Sequence, residues 1–134
     1  MTGHWSTGYV GLPWVDRGRE RTGLDCWGLV RLVYAEQLGI DLPAYSESYA
    51  STAELAAIDA AITSQRSGWA RAGEPAPFDV ALHRWGRYEA HVGVMIDGRR
   101  MLHMMEGVSA RIERIDEPLW NRRLVGFFRP VPTP

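Results

Sequence analysis

The spacing of apolar residues changes once along this chain of 134 residues. From Cys26 to Leu38, apolar positions recur every three or four residues, which predicts an amphipathic helix. Asp25 is placed to cap the start of this helix, and Gly39 suits the left-handed position after its end. The capping-box pattern Ser51-Thr52-Ala53-Glu54 predicts a second helix through about residue 64.

Alternation with a period of two replaces this spacing after the glycine and prolines of residues 73–77. Strands are predicted near 79–84, 90–96, 99–105, 109–115 and 124–129, with Asp97-Gly98 as a turn. Residues 1–24 lack sustained periodicity and are expected to form an irregular segment packed by aromatics. The fold class is therefore α+β, with N-terminal helices packed on a mostly antiparallel sheet of five to six strands.

Composition narrows the class of protein. The length predicts a single domain over residues 1–134, and 46% hydrophobic with 23% charged residues argues against disorder. Fifteen Lys plus Arg against sixteen Asp plus Glu give a net charge of −1, so no nucleic-acid partner is indicated. Stable membrane insertion is not expected, because no run of eighteen apolar residues occurs. The first residues lack the pattern of a signal peptide, so export by the general route is not expected.

Cys26 is the single cysteine, which excludes an internal disulfide and an all-thiolate metal site. An unpaired cysteine is more often a small core residue than a reactive one. At the start of a helix, however, unsatisfied backbone N–H groups and the positive end of the helix dipole favour the thiolate. A nucleophilic role additionally requires a base nearby.

His91 and His103 lie on neighbouring predicted strands and are the candidate base and its partner. A two-residue turn at Asp97-Gly98 would place the two rings on opposite faces of the sheet. A three-residue loop with Gly98 in the left-handed position would instead pair residues 95 and 99 and set His91 directly opposite His103. We predict this second register, because a catalytic base needs a neighbour that holds its orientation.

Three motifs together resemble the NlpC/P60 family of cell-wall peptidases, which has a papain-like fold. The motifs are Gly23-Leu24-Asp25-Cys26-Trp27-Gly28-Leu29-Val30, then Pro77-Phe78-Asp79-Val80, then His91-Val92-Gly93-Val94-Met95-Ile96-Asp97-Gly98 followed by His103. Their order and spacing make the resemblance specific, and it covers a core of about residues 9–128.

The resemblance implies a catalytic triad in which Cys26 is the nucleophile, His91 the base and His103 the orienting residue. It also implies hydrolysis of amide bonds in peptidoglycan stem peptides, typically between D-glutamate and the diamino acid. The backbone N–H of Cys26 is the expected oxyanion donor. No cofactor is expected, and the four histidines show no short metal-ligand pair, so no metal is expected either.

Three neighbouring residues are candidates for binding the substrate. Trp27 follows the cysteine where the family commonly has Ser, and Trp14 matches the position of an upstream aromatic that is usually Tyr. Asp25 matches a family Asp that could bind a substrate ammonium group, although helix capping is an equally good role for it.

The arrangement around Gly11-Leu12-Pro13-Trp14 and Asp25-Cys26-Trp27-Gly28 is also similar to that of family members carried by tailed phages. This predicts a peptidase at the virion tail tip that contacts tail hub proteins and acts in the host periplasm or cell wall during genome delivery. Two alternatives stay open. One is a structural tail or assembly subunit on the same fold with little hydrolytic activity, and the other is an acyltransferase or amidase acting on a different amide.

Overall fold

The computed structural model describes residues 4–15, 18–42, 69–85 and 88–130. Its N-terminal part contains a 3-10 helix, Trp5–Gly8, and a two-stranded ribbon of β1 (Arg19–Glu20) and β2 (Gly23–Leu24). The predicted irregular segment therefore contains two short regular elements. The helix predicted from Ser51 to about residue 64 lies outside the described residues.

Helix α1 (Cys26–Val33) follows the ribbon. The Asp25 side chain accepts a hydrogen bond from the Gly28 amide at 2.8 Å, which confirms the predicted cap. The helix continues as a π-helical turn, Tyr34–Leu38, and ends at Gly39, whose φ of 66° confirms the predicted left-handed position. Within the described ranges, no helix is long and apolar enough to cross a membrane.

Six strands form one antiparallel sheet with the order β3-β8-β4-β5-β6-β7. Their bounds are β3 (Trp69–Ala72), β4 (Val80–Trp85), β5 (Tyr88–Met95), β6 (Arg100–His103), β7 (Arg111–Arg114) and β8 (Leu124–Pro130). A short helix α2 (Pro118–Asn121) joins β7 to β8. The α+β class and the five predicted strands are confirmed; β3 and α2 were not predicted. Because β8 lies between β3 and β4, the sheet is not a simple meander.

The predicted register between β5 and β6 is wrong. His103 pairs with Gly93, and Met95 pairs with Met101, so His91 is not directly opposite His103. Gly98 is not left-handed either, since its φ is not positive. The Asp97 carboxylate holds the loop instead, because its Oδ1 accepts the amides of residues 99 and 100 at 2.8 Å each.

The two faces of the sheet bury different side chains. On one face, apolar residues of α1 and of the strands form a core cluster. The helix contributes Leu29, Val30 and Val33, and alternate positions of β4, β5 and β6 contribute Val80, Leu82, Val92, Val94 and Leu102. On the other face, Trp120 of α2 packs in a smaller cluster with Ala81, Met95, Met101 and Phe127. We call these the α1 face and the Trp120 face. By alternation along β5, His91 lies on the Trp120 face.

Candidate active site

Cys26 is the first residue of α1 and is half-buried against the large core cluster. The other end of this helix is fixed by Tyr34, whose hydroxyl donates to the Phe78 carbonyl, while the Phe78 amide donates to the Met95 carbonyl. An eight-residue helix is about 12 Å long, and four strand residues span about 13 Å. Helix α1 packs against β5. With its Tyr34 end held near Met95, the helix is long enough for Cys26, at its other end, to reach the end of β5 that carries His91.

The structure brings His91 and His103 together although the predicted register is wrong. The two residues are diagonal neighbours on one face of β5 and β6, because His103 pairs with Gly93, two residues beyond His91. His91 Nε2 lies 2.9 Å from His103 Nδ1. Both rings are buried, with 6% and 0% of their surface exposed.

Glu113 is a member of this site that the sequence analysis missed. Its Oε2 lies 2.5 Å from His103 Nε2, and 35% of its side-chain surface is exposed. Glu113 is on β7, where it pairs with Met101 of β6 and so shares a face with His103. The alternation in Arg111-Ile112-Glu113 indicates which residues of this strand share a face. It identifies Glu113 as the partner of His103 only once the register of β6 and β7 is known. We call the chain His91–His103–Glu113 the histidine relay.

Hydrogen-bond chemistry sets the direction of the relay. An ionised carboxylate can only accept, so Glu113 requires a proton on His103 Nε2. In neutral His103, Nδ1 then accepts, and the proton between the rings belongs to His91 Nε2. This tautomer leaves the lone pair of His91 on Nδ1, which makes Nδ1 the basic atom.

Burial keeps both rings neutral near pH 7. It is the largest cause that lowers the pKa of His91 well below the usual value, and the nearby His103 and His83 lower it further. Burial also lowers the pKa of His103, with the Glu113 carboxylate opposing that effect and Arg111 adding to it. The neutral relay described above is thus the form favoured in the folded protein.

Trp120 covers the relay. Its ring stacks on His91 at a centroid distance of 5.1 Å and meets His103 edge-on at 4.8 Å. His83, which pairs with His91 across β4 and β5, meets Trp120 edge-on at 5.3 Å. Both ring nitrogens of His83 are buried without a hydrogen-bond partner among the described residues, and burial lowers the pKa of His83 to about 4.

The three predicted substrate-binding residues occupy different environments. Asp25 is 1% exposed and caps α1, and Trp27 is 5% exposed in the core cluster. Trp14 is half-buried against the same cluster and forms a parallel bridge with Leu24. Among the described residues, no group of three or more His, Cys, Asp or Glu side chains is arranged to hold a metal ion.

Comparisons with known proteins agree with this architecture. The sequence profile of the NlpC/P60 family matches residues 11–129. The chain is 30% identical over 106 residues to the murein DD-endopeptidase MepS/murein LD-carboxypeptidase of Escherichia coli (strain K12), an alignment that covers 79% of this chain and 49% of that protein. The chain therefore spans about half the length of the curated relatives that it matches.

Solved structures match the fold closely. An NlpC/P60 family protein from Bacillus cereus ATCC 10987 superposes with a TM-score of 0.68 at 22% identity, over 95% of this chain and 38% of that one. The NlpC/p60 domain of the peptidoglycan hydrolase SagA superposes with a TM-score of 0.60 at 20% identity, over 92% and 90% of the two chains. The protein has an α+β fold of the papain-like type. By the match over residues 11–129, it belongs to the NlpC/P60 family.

Proposed function

We propose that this protein is a cysteine endopeptidase that cleaves amide bonds in the stem peptides of peptidoglycan. The observation that carries the proposal is the relay of His91, His103 and Glu113, whose buried His91 lies on the strand that packs against the cysteine-bearing helix. The similarity to a relative named as a murein endopeptidase and carboxypeptidase supports the substrate class.

The proposed reaction uses Cys26 and His91 in two stages. His91 Nδ1 takes the thiol proton, and the thiolate attacks the amide carbonyl carbon of the stem peptide. The backbone N–H of Cys26 donates to the resulting oxyanion, and the amine leaves with the proton from His91. Water, deprotonated by the same ring, then hydrolyses the thioester and restores the thiol. His91 lies near the start of β5, so the sulfur would meet its ring at the end of the sheet.

The proposed scissile bond joins D-glutamate to the diamino acid of the stem peptide. This assignment derives from the family resemblance, whereas the name of the Escherichia coli relative describes DD-endopeptidase and LD-carboxypeptidase activities for that protein. Muropeptides that contain all of these bonds therefore form the substrate panel.

The test incubates the purified protein and Cys26→Ala with defined muropeptides and identifies the fragments by mass spectrometry. We expect cleavage at one bond by the unaltered protein and none by the variant. Leu119→Ala, which alters a half-exposed side chain of α2, serves as the matched control and should cleave normally. Equal fragments from the unaltered protein and Cys26→Ala would remove the proposed mechanism.

A second candidate function is a structural tail or assembly subunit with little hydrolytic activity. The burial of His91 beneath Trp120 favours it, because only 6% of the His91 surface is exposed. Alkylation of Cys26 near neutral pH separates the two functions. An activated thiol should react much faster than a thiol in the unfolded chain, and a structural one more slowly.

The proposed site of action is the tail tip of a phage particle, in contact with tail hub proteins, with the host cell wall as the target. Support comes from the resemblance of the segments around Trp14 and Cys26 to those of phage-borne family members. Labelling of purified virions with an antibody against this chain should mark the tail tip. Virions without the chain would contradict this location and leave the peptidase proposal standing.

A further inference from the structure

Glu113 occupies the outer end of the histidine relay and reaches solvent. It lines a surface cavity of about 420 Å³ together with Arg114, Glu117, Pro118, Leu119 and Trp120. In the middle of the relay, His103 has no exposed surface and is held by contacts on three sides. These are the Glu113 carboxylate, the ring of His91 and the edge-on ring of Trp120.

We infer that Glu113 is a positioning residue whose carboxylate holds His103 and His91 in the orientation and tautomer that present His91 Nδ1 to Cys26. Its catalytic consequence rests on the proposed function. The hydrogen-bond arrangement itself does not, and it can be measured on an inactive protein.

The obligate acceptor chemistry of a carboxylate is the first argument. A ring nitrogen 2.5 Å from Glu113 Oε2 must carry a proton, and this fixes each following donor and acceptor up to His91. A glutamine at this position could present either its carbonyl or its amino group, so it would not impose one direction. The carboxylate therefore fixes the direction of the hydrogen bonds in the relay, which an uncharged amide of the same shape would not do.

Packing around His103 is the second argument. A Cβ added at Gly93 would lie 3.0 Å from His103 Cβ and 2.9 Å from Met101 Sδ, so the backbone of β5 closely approaches the side chains of β6 here. The ring has little room to move, and its contact with Glu113 spans from β6 to the edge strand β7. A carboxylate on β7 thereby constrains a base two strands away.

Charge is the third argument. When His91 takes a proton, positive charge spreads along the relay, and the Glu113 carboxylate is the negative group that faces it. Among the described residues, His83 also lowers the pKa of His91 and Arg111 also lowers the pKa of His103, so both oppose protonation. Removing the carboxylate should therefore make the protonated relay harder to form.

The first experiment observes the relay without substrate. A ring N–H in a short charge-assisted hydrogen bond gives a strongly downfield proton resonance. We expect such a resonance on His103 Nε2 in the ¹⁵N-labelled protein. It should disappear or move upfield in Glu113→Gln and persist in Glu117→Gln, a matched control that lines the same cavity. Absence of the resonance from the unaltered protein, or an unchanged resonance in Glu113→Gln, would overturn the inference.

The second experiment measures the pH profile of muropeptide cleavage. For Glu113→Gln we expect kcat to fall about tenfold to a hundredfold with KM little changed, because general-base catalysis contributes about 10²- to 10⁴-fold. The acidic limb of kcat/KM should move down by about one pH unit, as expected for loss of a nearby negative charge. Glu117→Gln should leave both quantities unchanged.

The two experiments separate the possible failures. A downfield resonance that depends on Glu113, in a protein that cleaves no muropeptide, would refute the proposed function and leave the positioning role intact. Normal cleavage and an unshifted pH profile in Glu113→Gln would refute the positioning role and leave the function intact. Thermal unfolding of each variant checks that a lower rate does not reflect lost structure.

Discussion

The two faces of the central sheet differ in what they bury. The α1 face is almost wholly apolar, and its strand residues Val94 and Leu102 have no exposed surface. The Trp120 face buries three histidines of neighbouring strands around one indole ring. Apolar burial stabilises a fold without specifying chemistry, whereas buried imidazoles reduce stability unless each nitrogen has a partner. The comparison indicates that the α1 face supplies stability, whereas the Trp120 face holds the buried histidines of the candidate site.

Removing the ring of His91 should have the largest effect of the substitutions considered, and it should lower the rate of muropeptide cleavage rather than the stability of the fold. We expect His91→Ala to lower kcat for muropeptide cleavage about 10²- to 10⁴-fold, because the general base is lost. His103→Asn should retain appreciable activity, since an amide oxygen can still accept from His91 Nε2. Fragment analysis over time measures both variants. A greater loss in His103→Asn than in His91→Ala would contradict the assigned roles.

Truncation on the α1 face should act on stability instead. Leu82 is 1% exposed, so Leu82→Ala should lower the free energy of unfolding by about 2–5 kcal/mol through lost burial and a residual cavity. The same change at Leu119, which is 50% exposed, should cost less than about 0.5 kcal/mol. Urea denaturation measures both. Equal losses at the two positions would mean that the α1 face is not the source of stability.

Replacing His83 tests the cost of buried histidine on the Trp120 face. His83→Phe removes two buried nitrogens for which the described part of the chain offers no hydrogen-bond partner, and it keeps a ring against Trp120. The free energy of unfolding at pH 7 should therefore rise by about 1–3 kcal/mol.

The same variant should resist acid better. An unfolded histidine titrates near 6.5, and the folded pKa of His83 is about 4. Between these two pH values the unfolded chain binds a proton at His83 and the folded protein does not. The free energy of unfolding is therefore unaffected by His83 titration above pH about 6.5, and it falls by up to about 3 kcal/mol as the pH drops from there towards 4. Denaturation at pH 7 and pH 5 checks this. An equal loss in His83→Phe and the unaltered protein would assign acid sensitivity to other groups.

The smallest expected effect concerns the start of α1, on the apolar side of this comparison. Asp25→Ala removes the cap on the Gly28 amide and should cost about 1 kcal/mol of stability, whereas Asp25→Asn keeps an acceptor and should cost less. If Asp25 also binds a substrate ammonium group, Asp25→Asn should raise KM at nearly unchanged stability. An unchanged KM would leave capping as its role.

Local chemistry explains which features could be predicted from the sequence. The helical span from Cys26 to Leu38, its Asp25 cap and its end at Gly39 depend on adjacent residues, and each was confirmed, with the last turn π-helical. The shared face of His91 and His103 required only that the loop preserve alternation. Their register could not be read, because it depends on how the Asp97 carboxylate folds back onto the loop amides.

Features that depend on distant pairing were missed. Glu113 joins the site through the register of β6 and β7, and Trp120 reaches the histidines from a helix that periodicity did not reveal. The placement of β8 between β3 and β4 likewise joins segments far apart in the chain. Sequence alone therefore identified candidates for the nucleophile, the base and its orienting residue, but not Glu113 or the position of Trp120.

Phe78 occupies a left-handed backbone position, with φ of 73°, a conformation that favours glycine. A side chain there costs about 1–2 kcal/mol, and its ring stacks on Trp5 at 4.7 Å. Phe78 thus carries both the free-energy cost of the left-handed backbone and the contact that holds the 3-10 helix Trp5–Gly8 in place. Replacement by glycine would relax the backbone and simultaneously release Trp5, so substitutions at positions 5 and 78 should be non-additive.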